Sequence, residues 1–453
     1  MVPRSQNCII NCRHGAIDAS LFSDSINLVH PRVEIMTKET DLKLAGRYRV
    51  VVLGGGIHGV GVAHDLASRG WKDVLVVEKS IVGAGTSSKS TKLIHGGLRY
   101  LQHPRDFPLV AEGLGERALL TKLLPDIVKP LPFVFPVMKK GGMPRFMIKI
   151  GLMLYDFLSR GRSLGTHKWL STEQAFNDAP ILDKSVFKGF YRFFDGQTDD
   201  FALVQRVADS VRMLGASVVE HTTVERIVHD QNGWRMKLNG PDGVHDVTAK
   251  YVVNALGPWA HELLEASGIR PKVIGFNNSG IHLIVRDLGL KAGLFLQSPE
   301  DGRIFFVLPW EGFTLIGTTE HVVNGPADSC KVEQQQVDYL LERCNRFLSV
   351  KLTDSDVISK FTGMRWLARG GDSSISDTSR THLITEHREQ GDILYTIYGG
   401  KLTAYRALSE ELGDKIMRAF GDRTASSTKK VASWAPARSL PPELQVPRRF
   451  EKI

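Results

Sequence analysis

Short apolar runs alternate along this chain with glycine-rich turns and with stretches of helical spacing. Residues 49–53 and 74–77 are β-branched apolar runs of the kind found in buried strands. Between them, residues 60–69 carry apolar side chains at the spacing of an α-helix. The pattern predicts a strand–helix–strand unit, and the runs 251–254 and 393–398 predict two further strands.

The turn after the first predicted strand carries a G-x-G-x-x-G pattern formed by Gly54, Gly56 and Gly59. Such glycines allow a tight turn and bring the pyrophosphate of a dinucleotide to the N-terminus of the following helix. Glu78 lies about twenty residues further on, where an acid binds the ribose hydroxyls of the adenosine. A purely structural turn is the alternative, but the whole unit favours dinucleotide binding.

The segment that follows Glu78 distinguishes between the two common dinucleotides. A nicotinamide-dependent dehydrogenase usually continues with more βαβ units. Here, residues 85–101 instead combine many hydroxyls with a histidine, paired glycines and an Arg-Tyr pair. The chain returns to the predicted sheet at residues 251–260, with a strand and a glycine turn. This layout is typical of two-domain flavoproteins and favours FAD.

The composition is that of an ordinary globular protein, with 42% hydrophobic and 24% charged residues among 453. This length is sufficient for a large core, and two interleaved domains are predicted. The four cysteines, at positions 8, 12, 330 and 344, show no C-x-x-C spacing. The sequence thus predicts no metal site, no disulfide framework and no catalytic thiol, which suits a reducing compartment.

The formal net charge of +9 favours anionic partners such as a substrate phosphate or acidic lipid headgroups. No nucleic-acid-binding motif is present. No run of about eighteen uncharged apolar residues exists, so no membrane span is predicted. Residues 144–158 combine apolar side chains with basic neighbours. They are predicted either to lie among lipid headgroups or to pack as a helix of the substrate domain.

Several motifs follow one another in a single order over residues 47–420. They are TSSKSTKLIHGGLRYL at 86–101, DD at 199–200, NALGPW at 254–259, PW at 309–310, IGTT at 316–319, GMR at 363–365, SRTH at 379–382 and GGKLTAYR at 399–406. Together they resemble the signature of the FAD-dependent glycerol-3-phosphate dehydrogenase family. The resemblance implies an α/β fold in which a Rossmann-like FAD-binding domain is interleaved with an α+β substrate (cap) domain. Flavoproteins like glutathione reductase and D-amino-acid oxidase have this architecture.

The implied domains are discontinuous. The FAD-binding domain is expected to comprise residues 47–105, 195–260 and 360–420, and the substrate domain residues 106–194 and 261–359. Residues 1–46 are predicted to be a poorly ordered extension, in which Met36 is an alternative start. Residues 421–453 are expected to form a Pro-rich tail in place of most of the helical C-terminal domain of the family.

The glycine motif and the resemblance together assign twenty residues to FAD. They are Gly54, Gly56, Ile57, His58, Gly59, Glu78, Thr86, Ser87, Ser88, Ser90, Lys92, His95, Val224, Ala255, Gly257, Trp259, Gly400, Lys401, Leu402 and Thr403.

The implied reaction oxidises the C2 hydroxyl of sn-glycerol 3-phosphate, with transfer of hydride to flavin N5, and yields dihydroxyacetone phosphate. Arginine suits the phosphate because its planar fork matches two oxygens at once. Arg99, Arg365 and Arg380 stand at the family's substrate positions, and Tyr100 is a further donor. The resemblance also implies a catalytic role for Arg365.

The sequence does not decide which of two residues accepts the proton. His282 has the more suitable ordinary pKa, although a lone histidine in an apolar strand is commonly a core residue. Lys401 is implied to lie near flavin N5 and the substrate oxygen, where burial beside arginines would lower its pKa.

The electron acceptor is inferred only from the resemblance and the charge. Respiratory relatives use a membrane quinone and related oxidases use oxygen, and the basic charge favours quinone. The implied location is cytoplasmic and peripheral, on the inner face of the cytoplasmic membrane, or on a mitochondrial membrane in a eukaryote.

Two positions depart from the family pattern. Trp366 replaces a usual proline and Glu320 a common aspartate, which leaves the shape of the substrate pocket in question. The alternatives to the main hypothesis are a flavin oxidase of the same fold acting on another small anionic substrate, and a flavin-binding relative without turnover.

Overall fold

The strand–helix–strand unit is present in the computed structural model, which describes residues 46–369 and 382–445. The strand predicted at 74–77 is confirmed to the residue. The helix begins at Ile57, three residues before its predicted start, because a glycine at position 59 interrupts the apolar pattern but not the helix. The predicted N-terminal extension up to residue 45 and the predicted substrate residue Arg380 lie outside the described residues.

Eighteen strands are formed in the described part of the chain. They are β1 (Gly46–Leu53), β2 (Val74–Val77), β3 (Leu93–Ile94), β4 (Val128–Met138), β5 (Lys168–Leu170), β6 (Phe187–Thr198), β7 (Ser217–Val219), β8 (Thr223–Asp230), β9 (Gly233–Gly240), β10 (Gly243–Asn254), β11 (Gly275–Val285), β12 (Gly293–Gln297), β13 (Ile304–Trp310), β14 (Phe313–Gly317), β15 (His321–Val323), β16 (Val357–Ala368), β17 (Leu383–Glu389) and β18 (Asp392–Tyr398). The α-helices in the same residues are α1 (Ile57–Ser68), α2 (Phe107–Leu123), α3 (Arg145–Leu158), α4 (Thr172–Asp178), α5 (Asp200–Met213), α6 (Ala260–Ala266), α7 (Gln334–Asn345) and α8 (Tyr405–Phe420).

The first sheet has the parallel order β18–β10–β1–β2–β7 at its centre, so strands that are distant in sequence become neighbours. β17 adds to one edge in the antiparallel direction, and β9 and β8 extend from β10 as an antiparallel meander. The carboxyl ends of β1, β2, β10 and β18 therefore share one edge. Sheets of this kind bind their ligands at that edge.

Both faces of the first sheet are covered, which explains why its central strands read as unbroken apolar runs. Val50 and Val52 of β1 face a core shared with α1, α5 and α8. Val51 and Leu53 face the opposite way and pack with β8, β9 and α6. All four side chains are fully buried, so β1 is fixed between two layers.

The second sheet has ten strands in the order β15–β11–β14–β13–β12–β4–β6–β3, with β16 paired to β11 and β5 to β6. Helices α2 and α3 pack on one core at this sheet, and α4 and α7 on another. The division into domains stays a prediction. β3 and most of β16, which the prediction assigns to the FAD-binding domain, pair within this second sheet.

Helix α3 has two unlike faces. Ile148, Leu152 and Tyr155 are buried in the core, as expected for a packed helix. The other face presents large apolar side chains that are each more than half exposed, namely Phe146, Ile150, Met153 and Phe157. For residues 144–158, the buried face fits the predicted packed helix, and the exposed apolar face fits the predicted position among lipid headgroups. None of the helices in the described ranges is long and apolar enough to cross a bilayer.

The segment after α8 is packed against the first sheet's helices. The indole of Trp434 is buried, donates to the carbonyl oxygen of Thr428 at 2.8 Å and lies edge-on to His64 of α1. The His64 Nε2 donates to the carbonyl oxygen of Ser433 at 2.6 Å. Burial lowers the pKa of His64 to about 4, so the ring stays neutral beneath this segment. Thr428 and residues 433–435 of the described tail are therefore part of the core.

Replacement of Trp434 with alanine tests this conclusion. We expect the free energy of unfolding to fall by about 3–5 kcal/mol, the usual cost of truncating a buried tryptophan. Urea unfolding followed by circular dichroism measures the loss. Val431, which is 68% exposed three residues earlier, provides the matched control, and Val431→Ala should change stability by less than about 0.5 kcal/mol. Equal stability of the two variants would contradict a packed tail.

Candidate active site

The glycine turn after β1 brings three backbone segments into contact. Gly54 has a φ of +105°, and a Cβ atom there would lie 2.7 Å from the carbonyl oxygen of Ala255 at the end of β10. A Cβ atom on Gly59 would lie 1.9 Å from the carbonyl oxygen of Gly54. Only glycine fits at these two positions. The N-terminus of α1 is thereby held at the carboxyl edge of the first sheet.

Two side chains complete this turn. The Glu78 carboxylate accepts hydrogen bonds from the backbone amides of Gly55, at 2.7 Å, and Ser80, at 2.9 Å. The Ser87 hydroxyl accepts one from the amide of Ile57, the first residue of α1, at 2.9 Å. Both side chains also line a cavity, where they and the helix N-terminus offer polar groups to a phosphorylated ligand.

This cavity has a volume of about 870 Å³ and runs from the carboxyl edge of the first sheet to β11 and β16 of the second. Tyr100, His282 and Arg365, which are predicted to serve the substrate, line it. So do seventeen of the residues predicted to bind FAD, namely Gly54, Gly56, Ile57, His58, Glu78, Thr86, Ser87, Ser90, His95, Val224, Ala255, Gly257, Trp259, Gly400, Lys401, Leu402 and Thr403.

Three residues predicted to bind FAD lie behind the cavity wall. Gly59 faces the turn, and Ser88 and Lys92 are buried. The Lys92 ammonium donates to Asp200 Oδ1 at 2.6 Å and to the Ser88 carbonyl oxygen at 2.7 Å. The other oxygen of Asp200 accepts from the Ser90 hydroxyl at 2.7 Å. Lys92 therefore neutralises a buried carboxylate and holds the 88–92 loop, instead of facing the cavity.

The turn at residues 399–403 meets the start of α1 and the 86–101 loop. A Cβ atom on Gly400 would lie 2.6 Å from the ring of His58. Burial lowers the pKa of His58 to about 4, so this ring is neutral. The Thr403 hydroxyl accepts a hydrogen bond from the His95 amide at 3.1 Å. These contacts place Lys401 beside the loop.

His282 lies on β11, where the second sheet lines the cavity. Its Nε2 is 2.9 Å from the Thr91 hydroxyl, and its ring stacks on Phe361 with centroids 5.0 Å apart. Burial and then the positive charges of Lys92 and Arg365 lower the pKa of His282 to about 3. Its Nδ1 has no hydrogen-bond partner among the described residues. The imidazole is therefore neutral at physiological pH.

Two positively charged side chains, Lys401 and Arg365, line the same part of the cavity. The Lys401 Nζ lies 4.0 Å from the centre of the Tyr100 ring. A Cβ atom on Gly280 would lie 2.9 Å from Arg365 Nη2, so the glycine leaves room for this guanidinium. Arg99 does not line the cavity. Its guanidinium carbon lies 5.0 Å from the Tyr100 ring centre and its Nη2 is 3.4 Å from the Tyr100 hydroxyl, so it stands behind that ring.

Sequence reasoning missed several residues of the cavity. Lys89, Thr91 and Leu93 line it, beside Ser90 and His95, which were predicted. Their position inside the hydroxyl-rich run of residues 85–101 is a signal that could have identified them. Trp366, which the sequence already connected with the shape of the pocket, lines the cavity and packs against Tyr398 and His261, with centroids 4.6 and 5.0 Å apart. These aromatic contacts join distant segments, and no local pattern indicates them.

The residues present fit FAD. The glycine turn and the N-terminus of α1 suit a pyrophosphate because free amides and the helix dipole favour negative charge there. The hydroxyls of Thr86 and Ser87 supply further polar contacts in the same cavity. Lys401 lines the same cavity and would supply positive charge beside a reduced flavin ring. Lys401 and the glycine turn belong to one continuous cavity, as a dinucleotide that carries a flavin requires.

Comparison with known proteins agrees with this fit. Residues 49–406 match the family described as FAD dependent oxidoreductase. The chain is 34% identical to a glycerol-3-phosphate dehydrogenase of Synechocystis sp., over 82% of this chain and 70% of that one. It is 35% identical to the D-erythritol 1-phosphate dehydrogenase of Brucella abortus, over 82% of this chain and 73% of that one.

Among solved structures, the glycerol-3-phosphate dehydrogenase of Bacillus halodurans complexed with FAD superimposes with a TM-score of 0.68 at 26% identity. The match covers 86% of this chain and 69% of that one. The predicted flavoprotein fold and the predicted cofactor, FAD, are thus confirmed. The chain belongs to the FAD-dependent oxidoreductases and, within them, to the FAD-dependent glycerol-3-phosphate dehydrogenase family.

Proposed function

We propose that this enzyme oxidises sn-glycerol 3-phosphate to dihydroxyacetone phosphate. The observation that carries the proposal is that Arg365, the neutral His282 and Lys401 line one cavity, with Lys401 in the turn at residues 399–403, called the flavin turn below. A phosphorylated secondary alcohol needs cations for its phosphate and an acceptor for its hydroxyl proton. The 34% identity to glycerol-3-phosphate dehydrogenases supports the choice of alcohol.

Arg365 is proposed to bind the substrate phosphate. Its guanidinium carries several donors in a plane, which match two phosphate oxygens at once. Strand β16 fixes its position, because Arg365 pairs with Asn278 of β11 in the middle of a long antiparallel ladder. The ladder holds Arg365 and His282 on neighbouring strands, so phosphate and hydroxyl binding are set by one rigid sheet.

His282 is proposed to take the proton of the C2 hydroxyl. The chemistry that FAD supplies when bound is acceptance of the hydride that leaves C2. His282 is neutral, its Nδ1 has no partner among the described residues, and Thr91 orients the ring through Nε2. A bound phosphate dianion opposes the charges of Lys92 and Arg365, which raises the proton affinity of the ring. Lys401 is assigned to hold negative charge on the substrate oxygen and the flavin.

A second candidate substrate is a four-carbon polyol phosphate. The relative from Brucella abortus named D-erythritol 1-phosphate dehydrogenase is 35% identical over most of the chain, which supports this alternative. Anaerobic titration of the FAD-loaded protein with each compound, followed by bleaching near 450 nm (about the absorption band of oxidised flavin), separates the two. Bleaching by neither compound would refute both.

A quinone dissolved in a membrane is proposed as the electron acceptor. The exposed residues of α3 recur at spacings of four, three and four, so they form one apolar face. Arg145 and Lys149 lie on the same helix and Arg160 and Arg162 follow it directly. An apolar face with basic neighbours suits the headgroup region of an anionic membrane. We therefore propose peripheral contact with a membrane through α3.

Arg365→Ala tests phosphate binding. We expect the dissociation constant of glycerol 3-phosphate, measured from the rate of anaerobic flavin reduction, to rise by about 100-fold, because a paired charge-assisted contact is lost. FAD should remain bound. Arg286→Ala is the control, since Arg286 is an exposed arginine at the end of the neighbouring strand and pairs with Asp356. Normal reduction of the Arg365 variant would rule out this assignment.

His282→Ala and Lys401→Met together identify the proton acceptor. Loss of a general base should lower the limiting rate of flavin reduction by about 10²–10⁴-fold in the His282 variant. Since the pKa of His282 in the free enzyme is about 3, the ratio of the limiting rate to the substrate dissociation constant in the wild type should show no loss from protonation of His282 between pH 5 and 8. A larger loss in the Lys401 variant, with a normal rate in His282→Ala, would assign the proton to Lys401 instead.

Membrane contact is tested with the double variant Ile150→Gln and Phe157→Gln. Cosedimentation with anionic phospholipid vesicles should fall at least about tenfold, because each apolar side chain contributes about 1.5–3 kcal/mol when it leaves water. Activity with a water-soluble dye should not change. Val244→Gln alters an exposed residue of β10 and is the control. Equal binding of all three proteins would show that α3 does not contact lipid.

A further inference from the structure

The loop that carries His95, Arg99 and Tyr100 is fixed at two successive amides by two different elements. The His95 amide donates to the Thr403 hydroxyl of the flavin turn at 3.1 Å. The next amide, that of Gly96, donates to the Tyr155 hydroxyl of α3 at 2.9 Å. The loop is thus held between the cofactor turn and a helix of the second sheet's core.

The Tyr155 end of this link is a buried ionic network. The Tyr155 hydroxyl donates to the Asp195 carboxylate, with distances of 2.8 and 3.0 Å to its two oxygens. Arg117 Nη1 donates to the same carboxylate at 2.7 Å, and the Gly96 amide approaches it at 3.2 Å. Tyr155, Asp195 and Arg117 are each at most 5% exposed. Burial raises the pKa of Tyr155 well above its ordinary value, so the hydroxyl keeps its proton.

Packing leaves this loop no room to shift toward the helix. A Cβ atom on Gly96 would lie 2.5 Å from both the Tyr155 hydroxyl and a methyl carbon of Leu114. Tyr155 does not line the cavity, whereas His95 and Tyr100 do. Any influence of Tyr155 on a bound ligand must therefore pass through the loop.

We propose that Tyr155 is a positioning residue for the substrate. The Tyr155 hydroxyl accepts a hydrogen bond from the Gly96 amide and thereby sets the distance between the loop and the flavin turn. This distance places the Tyr100 ring against Lys401, whose ammonium lies 4.0 Å from the ring centre. Asp195 and Arg117 hold the Tyr155 hydroxyl in the accepting orientation. The inference rests on the proposed function, because the ligand that it concerns is the phosphorylated substrate or product.

Tyr155→Phe removes the hydroxyl and keeps the ring. The variant should bind dihydroxyacetone phosphate about tenfold more weakly, the effect of one lost hydrogen bond beside a charged group. Isothermal titration calorimetry on the oxidised, FAD-loaded protein measures this constant without turnover. The KM for glycerol 3-phosphate should rise to a similar extent, with kcat and FAD content changing less than about twofold.

Tyr191→Phe is the matched control. Tyr191 is equally buried in the same hydrophobic cluster, packs edge-on against Trp169 and does not line the cavity. Its product affinity should equal that of the wild type. If Tyr155→Phe fails to fold, Gly96→Ala replaces it, since the added methyl group displaces the same loop while the hydroxyl remains, and the same weakening is expected.

Two outcomes would overturn the proposal, and they differ. Bleaching of all the proteins by glycerol 3-phosphate, with equal product affinity in the wild type, in Tyr191→Phe and in Tyr155→Phe (or its replacement Gly96→Ala), overturns the positioning role alone. A wild-type holoenzyme that glycerol 3-phosphate fails to bleach overturns the proposed function, and the positioning role with it.

Discussion

The contact between the backbones of Gly54 and Ala255 is the constraint on which the site depends. With no side chain at Gly54, the turn after β1 lies directly against the end of β10. The N-terminus of α1 can then face the cavity, with Ser87 bonded to the amide of its first residue and Glu78 to the amide of Gly55 in the turn. A cavity that takes residues from four strand ends could not close around a cofactor if these two strands were held further apart.

Local pattern was sufficient where nearby residues decide the structure. Strand β2 could be predicted to the residue because both of its faces are buried, and the two faces of α3 are already visible in the spacing of its apolar residues. Most of the residues assigned to FAD from the glycine motif and the family resemblance line one cavity. The aromatic cluster at Trp366 could not be predicted, because its partners come from separate segments.

Lys92 shows the limit on predicting the site. A lysine in a hydroxyl-rich loop reads equally well as a phosphate ligand or as the partner of a buried acid. The deciding residue, Asp200, lies 108 positions away. The same holds for Trp434, whose neighbour His64 belongs to the first helix. Buried charges require partners, but only the folded chain identifies which residues those partners are.

The strands of the first sheet are far apart in the sequence, and this has a consequence for biosynthesis. Strand β1 ends at Leu53 and β18 at Tyr398, yet both supply the same edge. A ribosome must pass residue 403 before Thr403 can meet the His95 amide. Until then the glycine turn borders an incomplete cavity, and non-local closure of this kind is slow. Bound flavin in this protein therefore reports that β10 and β18 have joined β1, and not merely that the first βαβ unit has folded.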